Sequence, residues 1–324
     1  MRKSALLIAI LFAHPAHAEE PFRLGLPIAC EIGKTCWVQQ YPDHDPSAGF
    51  TDYRCGSQTY NGHDGTDIRV LDSTSLIDVI AAAPGTVKAV RDGVADHLML
   101  TPEDREQVGN RECGTGVVID HDGGWETQYC HMRQGSLAVK SGDRVETGTR
   151  LGRVGYSGMA AFPHVHLTVR KDGKSLDPFS NPDDGTACGA VRNSLWTDEA
   201  AAALTYARGQ LLRTGFATRK VEMAELETGE LSDEAIGVNF PALVVYGWAI
   251  NLAKDDVITL QLKGSGRVLA ENSIKLDRPK AQYLLFTGKQ RPAGGWTKGE
   301  YYGYIEVRNG TELRLSRSFA IIVD

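Results

Sequence analysis

Pro163-His164-Val165-His166-Leu167-Thr168-Val169 alternates polar and apolar side chains from His164 onward. A period of two marks a half-buried strand, in which residues i and i+2 share a face. Val165 and Leu167 therefore face a core, while His164 and His166 aim their imidazoles together at the opposite side. Short runs of the same character precede it. Val87–Val90, Gly116–Asp120, Trp125–His131 and Leu151–Val154 each read as strands. Gly142, Gly148, Gly152, Gly155 and Gly158 punctuate the approach to the two histidines, and Asp122-Gly123-Gly124 turns a hairpin. The pattern predicts a tightly turned antiparallel β-sheet. Residues 91–112 interrupt it with a charged stretch, read as a long loop with a short helical turn near Pro102–Gln107.

A second cluster stands upstream. His63-Asp64-Gly65-Thr66-Asp67 leads directly into the apolar strand Ile68-Arg69-Val70. Imidazole nitrogen and carboxylate oxygen are ordinary zinc donors, and a catalytic zinc site uses three protein ligands with a fourth position open. His63, Asp67 and one of the pair His164/His166 would make such a set. His131 ends the strand Trp125–His131 beside Cys130. Neighbours on a strand face opposite sides, so Cys130 is not expected to act as a nucleophile with His131. No His-Glu-x-x-His is present, which excludes a helix-borne glutamate base of that kind.

The chain changes character after about residue 195. Asp198 is read as the cap of a connector helix within Asp198–Leu212. Ala242–Ile250, Val257–Leu262, Gln282–Phe286, Tyr301–Val307 and Leu313–Val323 then read as strands separated by turns, at spacings near those of a β-sandwich. This half has no histidine and no cysteine, so histidine or zinc chemistry must lie in the first half. Its aromatics Tyr246, Trp248, Tyr301, Tyr302 and Tyr304 are expected in core and sheet packing rather than as a glycan platform. The fold class is mainly β: a compact antiparallel sheet domain over residues 19–195, a helical connector over 196–215 and an immunoglobulin-like sandwich over 216–324. Two domains also suit the 324-residue length.

Residues 1–18 read as a secretory signal peptide: Arg2 and Lys3, an apolar run, and a small-residue end at Ala16-His17-Ala18. Export predicts a periplasmic, or else extracellular, protein. No later stretch approaches the length of a membrane-spanning helix. Export also gives the six cysteines a meaning, because an even count in an oxidising compartment implies disulfides. Fifteen pairings are open. Proximity in sequence favours Cys30–Cys36, the hairpin favours Cys113–Cys130, and Cys55–Cys188 remains. The 35 basic and 41 acidic residues give a net charge of −6. No basic block tracks a phosphate backbone, so nucleic acid is not an expected partner.

His63-x-x-x-Asp67, Tyr129-Cys130-His131-Met132, and Ser157-Gly158 ahead of Pro163-His164-Val165-His166 occur in a telling order and spacing. Together they resemble the lysostaphin/LytM-type peptidoglycan endopeptidase family of zinc metallopeptidases, over roughly residues 60–180. The resemblance implies a zinc metallopeptidase domain with one zinc ion per chain, held by His63, Asp67 and His166. It implies catalytic roles for His131 and His164, which assist a zinc-activated water. All five positions are intact, although some family members have lost them and act as regulators. The implied substrate is a cross-bridge or stem peptide of bacterial peptidoglycan. An activator or wall-binding protein of the same family, and a secreted peptidase of protein substrates, are the other readings. Residues 91–112 and Cys30–Tyr60 lie outside the shared pattern and are expected to shape the groove. The C-terminal domain is expected to contact the wall or a protein partner.

Overall fold

A computed structural model describes residues 21–180, 188–189, 191–231 and 236–324; the signal peptide read at residues 1–18 lies outside the described residues. The N-terminal half contributes β1 (Cys36–Gln40), β2 (Thr66–Val70), β3 (Asp78–Ile80) and β4 (Gly85–Arg91), then helix α1 (Pro102–Val108). β5 (Thr115–His121) and β6 (Trp125–Met132) follow, then β7 (Arg144–Val145), β8 (Arg150–Arg153), β9 (His164–Lys171) and β10 (Lys174–Leu176). The C-terminal half contributes α2 (Asp198–Ala203), β11 (Gln210–Ala217), α3 (Met223–Thr228), β12 (Ala242–Leu252) and β13 (Asp256–Gly264). It ends with β14 (Arg267–Lys275), β15 (Lys280–Gln290), β16 (Gly299–Asn309) and β17 (Glu312–Val323).

The main sheet runs β1-β2-β9-β6-β5-β4-β7, with β10 paired to β9; β3 and β8 form a separate pair. All pairings between these strands are antiparallel, as the short, Gly-punctuated runs predict. β9 is central because its alternation serves both faces. Val165, Leu167 and Val169 are fully buried in the core with Ile68, Val117, Ile119, Tyr129 and Leu151, leaving the histidines on the other side. The hairpin between β5 and β6 turns at Asp122–Gly124. The expected helical turn in residues 91–112 is α1. Thr101 caps it by accepting the Asp104 N–H at 3.2 Å, while the Asp104 carboxylate accepts the Thr101 N–H at 2.8 Å.

Two further sheets, β11-β12-β15 and β14-β13-β16-β17, enclose a second core built from both: Leu243, Val245 and Leu285 against Leu260, Leu262, Ile305 and Val307. Face-to-face packing of two antiparallel sheets is the expected sandwich arrangement. β12 is buried along its whole length. Leu243, Val245 and Ala249 face the sandwich core. Val244, Tyr246, Trp248 and Ile250 face a third cluster shared with Trp37 of β1 and Leu226 of α3. The two halves are therefore joined by apolar packing as well as by the chain.

The structure differs from the sequence reading at three places. The connector helix stops at Ala203, and its cap is Thr197, whose hydroxyl accepts the Ala200 N–H at 3.2 Å. Residues 210–217 leave the connector to form β11, since pairing with β12 satisfies their backbone. β14 lacks any apolar alternation because almost all of it is solvent-exposed, so the pattern could not announce it. Of the C-terminal aromatics, Tyr246, Trp248 and Tyr301 are buried as expected, whereas Tyr302 is exposed.

All six cysteines pair, as Cys30–Cys36, Cys55–Cys188 and Cys113–Cys130, the set favoured from the sequence. Among the described residues no helix is long and apolar enough to cross a membrane.

Candidate metal centre and groove

Antiparallel register assembles the site. Asp67 on β2 is paired directly with His166 on β9, and Arg69 with His164; on the other flank Cys130 of β6 is paired with His166. Directly opposed residues hold their Cβ atoms about 4.5–5.5 Å apart, so the register alone brings the carboxylate to the imidazole. His63 enters from the loop before β2. Gly65 between them has no room for a side chain: a Cβ there would overlap the His166 ring and lie 2.7 Å from the Leu167 carbonyl oxygen.

The donor atoms converge. His166 Nδ1 lies 2.8 Å from Asp67 Oδ1 and 3.2 Å from His63 Nε2, and His63 Nε2 lies 3.2 Å from Asp67 Oδ1. One ligand atom from each of the three falls within 4.8 Å of the others. The far side of each ring is committed elsewhere. His63 Nδ1 donates to the Tyr41 carbonyl at 2.7 Å, and His166 Nε2 donates to Thr168 Oγ1 at 3.0 Å with Asp64 Oδ1 at 3.4 Å. The bond to Tyr41 fixes the His63 tautomer that turns Nε2 toward the cluster, and His166 faces Asp67 through Nδ1. The set fits zinc on its own chemistry: two imidazole nitrogens and one carboxylate oxygen, each oriented by an outer hydrogen bond. Of the pair left open by the strand reading, the partner of His63 and Asp67 is His166.

His131 and His164 stand beside this cluster, with ring centroids 4.6 Å apart. His164 Nε2 approaches Asp67 Oδ1 at 3.5 Å, and its Nδ1 donates to the Phe162 carbonyl at 2.7 Å. His131 Nδ1 donates to the Ser157 carbonyl at 2.9 Å. Both rings thus keep Nε2 as an acceptor. His131 adopts a left-handed backbone with φ of 60° where the β5–β6 register shifts. Such a conformation costs about 1–3 kcal/mol in a residue with a side chain, and it re-aims the ring out of the regular alternation. Cys130 is held by Cys113, as the strand reading anticipates.

Electrostatics follow from burial and company. Burial, then the neighbouring imidazoles of His164 and His166, hold His131 well below the usual histidine range. Burial likewise lowers His164. Burial also opposes charge on His166, but hydrogen bonds to Asp64 and Asp67 outweigh it and push that ring up to about 9. Asp67 is well below the carboxylate range, because His63 and His164 outweigh its desolvation. The other described histidines lie outside the cluster: His44 on Asp177, His97 on Asp104, and His121 on the Pro84 carbonyl.

A groove of about 450 Å³ opens over His131, His164 and Asp67. Gln39, Gln40 and Tyr60 line it from the segment Cys30–Tyr60, and Met99 and Arg105 from residues 91–112, both segments expected to shape it. Four contributors escape the motif reading. Tyr60 stacks on His63 at 4.5 Å, its signal being a position three residues before a ligand candidate. Phe162 supplies the carbonyl that orients His164. Ala281 and Gln282 come from β15 of the sandwich, and nothing local in their sequence marks them.

These features define a candidate metal centre flanked by two histidines. Residues 61–178, just over a third of the chain, match the model of Peptidase family M23. The chain is 31% identical over 127 residues to a metalloprotease of Haemophilus influenzae described as uncharacterized, covering 39% of this chain and 22% of that protein. It is 28% identical over 85 residues to another of Buchnera aphidicola, covering 26% of this chain and 21% of that protein. The chain thus spans about a fifth of the length of these curated relatives. Among solved structures, the catalytic domain of a prophage-encoded M23 protein from Enterococcus faecalis is 24% identical. That match has a TM-score of 0.28 and covers 50% of this chain and 92% of that one.

Proposed function

We propose that this protein is an exported, zinc-dependent endopeptidase that hydrolyses peptide bonds in the cross-bridges or stem peptides of bacterial peptidoglycan. The observation that carries the reading is the convergence of His63, Asp67 and His166 beside two histidines that keep Nε2 free toward an open groove. In this reading His63, Asp67 and His166 hold the metal. A zinc ion bound there supplies a Lewis acid that acidifies water and polarises the peptide carbonyl.

The chain's own residues do the rest. His131 and His164 each have Nδ1–H tied to a backbone carbonyl, so each offers Nε2 to a proton from the attacking water. One takes that proton. The other acts after taking a proton from solvent, and then donates Nε2–H to the developing oxyanion or to the leaving amine. Tyr60, Phe162, Met99 and Met159 line the walls beside the reacting peptide. An extended peptide suits a groove along β-strands, where main-chain hydrogen bonds add affinity. Three disulfides and the leader read from the sequence support a periplasmic setting.

The test is digestion of isolated sacculi by the purified protein, with and without a chelator, the products identified by mass. Release of peptides that stops with the chelator and returns with zinc supports the proposal. Protein that binds zinc stoichiometrically yet releases nothing from sacculi or cross-linked muropeptides overturns it.

A further inference from the structure

The groove carries one formal side-chain cation, Arg105, from the segment that interrupts the strand pattern. The other arginines near the site are engaged: Arg170 pairs with Glu126 at 2.9 Å, and Arg69 with Glu227 at 2.7 Å. The Arg105 side chain forms no hydrogen bond or ion pair with any described residue, although it lies close enough to Tyr60 to bear on that hydroxyl electrostatically. Among the described residues the only carboxylate lining the groove is Asp67, which belongs to the metal cluster.

The arginine stands on a fixed rim. The Thr101/Asp104 capping box sets the start of α1, and Val108 anchors its end in the interior. The segment is tied to the loop before β9 on both sides: the Met99 N–H donates to Ala160 at 2.9 Å and the Met159 N–H to Glu112 at 2.8 Å. The opposite wall is Gln282 of β15, whose side-chain oxygen accepts from Arg69 Nη1 at 3.3 Å. Apolar Met99, Met159 and Phe162 line the same groove.

We propose that Arg105 is a specificity-determining residue that binds a free carboxylate of the peptide substrate. The groove thereby selects peptides with a carboxylate on the α1 side of the scissile bond. The guanidinium fork matches a planar carboxylate with two parallel hydrogen bonds. A single cation suits a singly charged carboxylate better than a phosphate. The net acidity of the chain means that anion recognition has to be local.

This inference rests on the endopeptidase reading above, and its experiment separates the two. The substrate is a cross-linked stem-peptide dimer prepared with its free carboxylates and, separately, with those groups amidated. The wild-type zinc enzyme should prefer the free acid in kcat/KM by about 10–100-fold, the scale of a hydrogen-bonded charge. The preference should reside mainly in KM. Arg105→Ala should reduce the ratio of the two substrates toward one, and Arg105→Lys should restore part of it. A wild type that cleaves both forms equally, or an Arg105→Ala variant that keeps the preference, overturns the inference alone. A wild type that cleaves neither overturns the endopeptidase reading and this inference with it.

Discussion

His63 gives its Nδ1 proton to the Tyr41 carbonyl, His131 to that of Ser157, and His164 to that of Phe162. Three backbone oxygens therefore decide which nitrogen of each ring can take a metal or a proton. At this scale ligands and catalytic groups should separate experimentally. His63→Ala or Asp67→Ala should abolish stoichiometric zinc, measured by metal analysis of the purified protein. His131→Ala and His164→Ala should each retain zinc and lose on the order of 10²–10⁴-fold in kcat. Full turnover in both histidine variants would refute their assignment. Gly65→Ala places a methyl group against the His166 ring. It should weaken zinc affinity by about 10–100-fold, the usual scale for disturbing a ligand's support, measured by competition with a chelating dye.

The elements deliver these residues through register. β2 and β9 set Asp67 opposite His166, and the β5–β6 hairpin carries His131 to the rim, where the Cys113 carbonyl accepts the His131 N–H at 2.8 Å. Cys113–Cys130 closes a separation of 17 residues across that hairpin. Replacing both cysteines by serine should cost about 3 kcal/mol in denaturant unfolding. It should lower activity more than zinc content, because His131 is no ligand in this scheme. Intact disulfide mapping by mass under non-reducing conditions should recover all three pairs. Peptides linked in any other pattern would contradict the structure.

At the scale of the whole molecule, a buried ion pair joins the half that carries the candidate metal centre to the C-terminal half. Arg69, two residues from Asp67, is fully buried and pairs with Glu227 of α3 at 2.7 Å. Its guanidinium sits over Trp248 at 4.5 Å and Phe162 at 5.0 Å. The sandwich therefore packs against the strand that carries a ligand candidate and supplies one wall of the groove. Glu227→Ala leaves Arg69 buried without its counter-ion, held only by neutral acceptors such as Gln39 and Gln282, and should cost about 3–5 kcal/mol. Equilibrium denaturation should register that loss. A change below about 1 kcal/mol would mean the pair is dispensable to how the halves associate.

Alternation and short motifs are local, and they were enough to expose a mainly β chain, the strand bearing His164 and His166, the five residues of the candidate centre and the favoured disulfide set. They could place each strand but not its neighbours. The left-handed turn at His131, the carbonyls that set each tautomer and the Gln282 wall depend on residues far apart in the chain. β14 and β11 were hidden for a related reason. An exposed strand shows no apolar period, and a strand inside an expected linker is defined by its pairing partner rather than by its own residues. Sequence by itself therefore determined which side chains are candidates for the chemistry, because residue type and strand phase are written locally. Only the tertiary structure decided what orients them and what walls the groove, because those are contacts made by folding.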